Sequence, residues 1–228
     1  MRRLLTIVPF ALVAGSCTML LFVLLSGATD NLKFLNKFYF SSVTTSAETR
    51  WTLYAICSPN GDGTVYCSNK EPAYPYSPSD NFGDSLVPND FVKNRNTYFY
   101  LLKIAYAWFL LALIFSLLAL GPILWSCIWR GFLTGFFASF VIGTAFLFSL
   151  LGSLFITAAH VKGVKAFKKA GYQAKVGRDM MVVIWLLFVF LLASLIWMIF
   201  VGIHGAEEEF EDHESHFEKH LRHSSELD

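Results

Sequence analysis

The sequence predicts an all-α membrane protein: a four-transmembrane-helix bundle carrying a small disulfide-stapled antiparallel β-sheet in its first extracellular loop. Three observations lead there. Of the 228 residues, 55% are hydrophobic and 15% charged, too apolar for a soluble domain of this size. Four stretches, at about 4–26, 100–128, 132–159 and 180–203, are almost free of acidic and basic residues and reach the roughly 20 residues that cross about 30 Å of hydrocarbon. Between the first two lies WTLYAICSPNGDGTVYC, residues 51–67, a short loop closed at its end by two cysteines. The expected organisation is a membrane domain over 1–203, with extracellular loops at 27–97 and 160–179, and an acidic, histidine-containing cytosolic tail over 204–228.

Arg2 and Arg3 precede the first apolar run, and Ser26-Gly27-Ala28 would pass as a cleavage site. The run is longer than the about 7 to 15 residues of a signal-peptide core, which favours a retained signal anchor. Either way the following segment is delivered outside.

In that segment Trp51, Leu53, Ala55 and Cys57 alternate as one face of a strand. Ser-Pro-Asn-Gly-Asp-Gly then turns the chain, and residues 64–67 return it. Cys17 lies in the first span and Cys127 at the end of the second, so Cys57 and Cys67 are the pair that can bridge easily; such a short closed loop is worth roughly 3 kcal/mol. Disulfides persist in oxidising compartments, which places 27–97 on the exoplasmic side. The remainder of the loop, KEPAYPYSPSDNFGDSLVPNDF, shows no helix or strand period. It reads as ordered irregular structure lying on the hairpin, or as a flexible spacer.

An even number of spans then puts both termini in the cytosol, with a tight turn near 129–131. Charge opposes this orientation. Residues 27–97 carry six basic and seven acidic side chains, 160–179 six and one, and 204–228 two and nine, so the basic loop falls outside, against the positive-inside tendency. The cysteine pair is the stronger constraint, because a reducing cytosol would remove its staple. Val161, Val164 and Phe167 recur at helical spacing, so the third helix is expected to continue beyond the bilayer and carry its lysines into water.

Gly131, Gly135, Ser139 and Gly143 recur every fourth residue and form a small-residue ridge on the third span, suited to packing within the bundle or between subunits. Phe132, Phe136, Phe137, Phe140, Phe146 and Phe148 surround it as lipid-facing and packing bulk. A transporter or channel needs an ionisable residue in mid-membrane; here Lys103, Arg130, His160 and Asp179 all fall near span ends. Gly121-Pro122 either kinks the second helix or ends it. His213, His216, His220 and His223 are spaced three, four and three apart, along one helical face, as weak candidates to bind zinc or titrate; a solvated acidic helix or disordered tail is the alternative. Cys127 is either a juxtamembrane palmitoylation site or a buried thiol. No catalytic, nucleotide-binding or nucleic-acid-binding motif is present. The expectation is a non-enzyme without a metal or cofactor, holding membrane lipids or sterols.

A tryptophan shortly before a close cysteine pair in the first loop of a four-span protein resembles the claudin-like superfamily. LSGATD, LNKFYF, ETRWTLYAIC, PAYPYSPSDNF and KAFKKAGYQAKVGRD, in this order from about residue 20 to 203, are more specifically similar to the fungal Sur-seven/PalI family of eisosome-associated plasma-membrane proteins. The glycine-leucine pair before the claudin tryptophan is replaced by Thr49-Arg50, and the tail matches no part of the family. The resemblance implies cytosolic termini, a basic second exoplasmic loop, and a first-loop sheet over the bundle. Trp51 would anchor that sheet near the Cys57–Cys67 bridge, and Arg50 would pair with a loop acid. The implied role is a structural organiser of the fungal plasma membrane that self-associates, partners with eisosome and other plasma-membrane proteins, and affects wall and sphingolipid balance. The PalI branch implies an alternative, an accessory subunit of ambient-pH sensing; a small transporter or channel is a third.

Overall fold

The computed structural model describes residues 4–28, 37–45, 47–60, 64–68, 70–126, 128 and 132–225, with the side chains at 4, 5, 132 and 206–225 outside the described set. In chain order the elements are α1 (Leu4–Leu24), β1 (Ser41–Thr44), β2 (Glu48–Trp51), β3 (Ile56–Pro59), β4 (Val65–Cys67), α2 (Pro78–Phe82), a 3-10 turn (Asp84–Leu86), α3 (Asn89–Lys93), α4 (Arg95–Trp125), α5 (Phe132–Lys169), β5 (Gln173–Val176) and α6 (Arg178–Ser225).

Among the described residues, four helices are long and apolar enough to span a bilayer, over Thr6–Leu24, Arg95–Trp125, Leu133–Lys169 and Arg178–Gly205. They close a ring in which α1 packs on α4 and α6, and α5 packs on the same two. Within the spans, hydroxyls return to their own helices: Ser16 donates to the Leu12 carbonyl at 2.9 Å, Ser116 to Ala112 at 2.7 Å and Thr144 to Phe140 at 2.9 Å. Such back-bonding satisfies a polar side chain without a partner helix or water. Between helices, Ser194 reaches the Pro9 carbonyl at 3.3 Å. Pro122 lies inside the last turn of α4, which runs on to Trp125 rather than ending at the proline.

The 38 residues of α5 rise ~57 Å at about 1.5 Å each, well beyond a bilayer core. The helix therefore projects past the membrane as expected. On that projection Val164 and Phe167 are buried while Lys162, Lys165, Lys168 and Lys169 are exposed. At the other end α6 runs as one helix through the tail to Ser225.

The sheet is larger than the expected hairpin. Its five strands lie in the order β4-β3-β2-β1-β5, all antiparallel, and the fifth comes from the loop between α5 and α6. Both loops therefore build one structure at one end of the bundle. The expected strand from Trp51 to Cys57 is instead the end of β2, a turn and the start of β3. The turn closes on itself: the Thr52 hydroxyl donates to the Ala55 carbonyl at 2.7 Å, and the Thr52 and Ala55 backbones bond at 3.0 Å. The rest of the first loop, which has no sequence period, forms α2, the 3-10 turn and α3.

Register sorts the two faces. Ser41, Trp51, Ile56 and Val176 align across the sheet, as do Val43, Thr49 and Ala174. Ser41, Val43, Thr49, Trp51 and Ala174 are buried against the helices. The opposite face carries Ser42, Arg50 and Lys175 in one row, continued by Cys57 and Cys67, with Thr44, Glu48 and Gln173 in the next.

Candidate functional site

The residues that distinguish this chain converge where the sheet sits on the bundle. Trp51 is 1% exposed, and its ring meets Tyr76 and Phe82 edge-on at 5.2 and 5.7 Å and Phe167 at 6.2 Å. Phe91 extends the cluster, 4.6 Å from Phe167 and 4.9 Å from Tyr98. Strand β2, helix α2, α3 and the projecting ends of α4 and α5 are thus joined by one aromatic core. Such rings add specific edge-to-face terms to the area they bury.

A polar contact lies beside it. His160 of α5 is fully buried, with Nδ1 2.8 Å from the Ser41 hydroxyl, stacked on Phe40 at 5.2 Å and against Tyr76 at 4.5 Å. A buried polar group without a partner is costly, so this pairing fixes which strand lies over which helix turn.

Three glycines make these approaches possible. A Cβ on Gly163 would overlap the Tyr76 ring and hydroxyl, one on Gly27 would overlap Thr52, and one on Gly177 would overlap the Tyr39 carbonyl. Gly27 also has φ of +80°, the left-handed conformation that favours glycine. The stretches LSG, KFYF, RWT, PAYPY and KVG meet one another here.

The disulfide lies on the other face. Cys57 and Cys67 pair across β3 and β4, and Cys57 is registered with Arg50 rather than with Trp51. The expected packing of Trp51 near the bridge is therefore corrected. The turn at 52–55 reverses the chain, so Trp51 faces the bundle and the bridge is on the outward face. The two clamp different layers.

Arg50 pairs with Glu48, Nε to Oε1 at 3.2 Å, and its guanidinium lies 4.9 Å above the Tyr39 ring. Lys175 of β5 reaches the same Glu48 oxygen at 3.4 Å. Partial burial acts to raise the Glu48 pKa, but the two cations outweigh it and hold the carboxyl below its ordinary value. Asp80 is likewise held low, chiefly by the Arg95 guanidinium donating at 2.7 Å. Lys103 and Lys162 lie over the rings of Phe99 and Tyr98 at 4.5 and 5.3 Å, at the sheet end of the bundle.

The small-residue ridge lies toward the opposite end. A Cβ on Gly135 would come within 2.6 Å of the Gly202 Cα, and one on Gly143 would rest 3.7 Å from Leu195. Both glycines thus face α6 of the same chain. Ser139 has a buried hydroxyl with no partner. Phe136, Phe137 and Phe140 point outward, whereas Phe146 and Phe148 pack on the core. An open apolar groove of about 480 Å³ lies between Gly121, Pro122, Trp125, Leu133, Thr134 and Phe137. Gly131, Cys127 and Arg130 lie outside the described residues, and so do the side chains of His213, His216, His220 and His223.

Sequence reasoning missed β5 and the junction roles of His160, which it placed only near a span end, and of Tyr76. Signals for the first were present: Gln173, Ala174, Lys175 and Val176 alternate polar and apolar between Gly171 and Gly177, a short strand pattern hidden by the lysine-rich context. Nothing local marks His160 or Tyr76, because their partners lie in other elements.

Comparison with known proteins gives one consistent answer. The family model of the SUR7/PalI family matches residues 5–197. The chain is 30% identical over 228 residues to the SUR7 family protein FMP45 of Saccharomyces cerevisiae, covering 93% of this chain and 71% of the relative. It is 34% identical over 212 residues to Protein SUR7 of Candida albicans, covering 89% and 75%. With an uncharacterized plasma membrane protein of Saccharomyces cerevisiae it shares 31% over 206 residues, 87% and 68%. The matched region takes in the first three spans, most of the fourth and every strand of the sheet, and the chain belongs to the SUR7/PalI family.

Proposed function

We propose that the chain is a non-enzymatic organiser of the fungal plasma membrane, with both termini in the cytosol and the stapled sheet presented as a rigid platform on the exoplasmic side. The observation that supports this most directly is the Cys57–Cys67 bridge on the outward face of a sheet whose inner face is fused to the bundle by Trp51. A disulfide needs an oxidising compartment, and a sheet built from both loops cannot move independently of the helices. The lipid-facing aromatic face of α5 and the apolar groove beside Pro122 supply surfaces for membrane lipids or sterols. A plasma-membrane location follows the description of one relative. Residence in eisosome-associated compartments, self-association, and effects on wall and sphingolipid balance complete the proposal.

Thiol labelling tests it. In a variant keeping Cys57 and Cys67 alone, an impermeant maleimide should label intact cells only after reduction. Labelling that requires permeabilisation but no reductant would put the sheet in the cytosol and end the platform reading.

A second reading, accessory pH sensing, is supported by the continuous helix to Ser225, which aligns positions 213, 216, 220 and 223 on one face. Deleting residues 205–228 separates the two. Dispersed membrane patches with a normal alkaline response favour the organiser, and lost response with intact patches favours the sensor.

A further inference from the structure

We propose that the outward face of the sheet carries a binding groove for a short neutral glycan; this rests on the exoplasmic reading above and gives the platform its partner. The groove, of about 490 Å³, lies between the β1–β5 edge of the sheet and the projecting end of α5, and is lined by Ser42, Glu48, Lys168, Tyr172, Gln173 and Lys175 among others. That volume is within the range of small-molecule sites.

Its chemistry differs from that of the grooves at Pro122 and at Trp185, whose walls are mainly apolar. Here a hydroxyl, a carboxylate, a carboxamide and two ammonium groups converge, offering donors and acceptors in both directions. A polyol needs that mixture, since each of its hydroxyls both donates and accepts. Ser42 lines the groove although the residue as a whole is 3% exposed, and its hydroxyl adds one more group there that both donates and accepts.

Tyr172 provides the apolar half of the site. Its hydroxyl donates to the Leu86 carbonyl at 3.1 Å and its ring stands edge-on to Phe167 at 5.9 Å and 88°. The ring is therefore held in one plane, a preorganised platform for the C–H face of a pyranose.

Charge narrows the ligand class. Glu48 is bracketed by Arg50 and Lys175, so a cationic ligand would have to displace a cation already in place. An anionic polymer would compete with Glu48 for Lys175, leaving Lys168 as its uncontested contact. A neutral ligand can bond to the outer lone pairs and protons of this network without breaking it.

The test uses the full chain in nanodiscs, with laminarihexaose, chitohexaose and maltohexaose as neutral probes and a heparin hexasaccharide as the anionic one, read by titration calorimetry. Saturable binding of at least one neutral probe is expected, weakened about tenfold or more by Lys168→Ala combined with Gln173→Ala. Both residues are exposed, and an intact Cys57–Cys67 bridge in the variant reports that the sheet has formed. Absence of neutral binding, binding of heparin alone, or neutral binding unchanged in the variant would each overturn the proposal. Calorimetry is indifferent to orientation in the cell, so its failure and a cytosolic result from thiol labelling are separate outcomes.

Discussion

The two ends of the bundle are built on different physical terms. At the sheet end, residues far apart in sequence interlock: Trp51 with Tyr76 and Phe167, His160 with Ser41, and Gly163 beneath Tyr76. Each contact depends on the identity of a particular side chain. At the other end, α5 and α6 approach through Gly135 and Gly202, and an open apolar groove remains beside Pro122. There, smallness alone is required. The contrast teaches where stability and rigidity are concentrated: the end that carries the loops is a packed domain core, and the end that carries the tail is a helix seam.

Perturbations should separate the two ends. The largest effect is expected from Trp51→Ala, which empties the centre of the aromatic core; truncating a buried Trp costs about 3–5 kcal/mol, read as a loss of thermal stability in detergent. Gly163→Ala should act on the same core, because the added methyl meets Tyr76. Its cost, about 1–3 kcal/mol for overpacking, should be partly relieved by Tyr76→Phe, which removes the nearest atom. Failure of that relief would break the assignment of Gly163 as the seat of Tyr76.

Cys57→Ser should cost roughly 3 kcal/mol and loosen the outward layer, while the Trp51 core, on the opposite face, stays assembled. Tryptophan fluorescence changing together with loss of the bridge would contradict the two-layer description. At the other end Gly135→Ala should cost about 1–3 kcal/mol by pushing α5 from α6, with the disulfide and the sheet unaffected. If instead it disturbs disulfide formation, the ends are coupled more tightly than the packing implies.

The smallest effect concerns Glu48. Its pKa is depressed in the folded chain, so its contribution is complete above the ordinary carboxyl value of 4.5 and is lost as pH falls from there through the folded value. For a half-exposed network the magnitude is about 1 kcal/mol or less. Glu48→Gln should remove this acid-range slope and leave stability at pH 7 within the same amount.

How much of this was legible before the structure depends on the range of each interaction. Four spans, the projecting third helix and the cysteine pair are local signals: apolar length, helical spacing at Val161, Val164 and Phe167, and turn chemistry between the cysteines. The glycine ridge was visible as spacing, though its partner, Gly202, was not. The strand at 51–57 failed because alternation in burial does not require one straight strand. Trp51, Leu53, Ala55 and Cys57 are all buried, yet a turn at 52–55 carries the chain from one strand to the next.

By itself, then, the sequence determined what must be in the membrane and what must not, because transfer from water to hydrocarbon is nearly a sum over residues and needs no knowledge of neighbours. Only the tertiary structure decided that a strand from the second loop completes the sheet, that Trp51 and the bridge lie on opposite faces, and that His160 locks the sheet to α5. Those outcomes turn on strand pairing, close backbone approach and the satisfaction of buried polar groups, which exist only between residues that folding brings together.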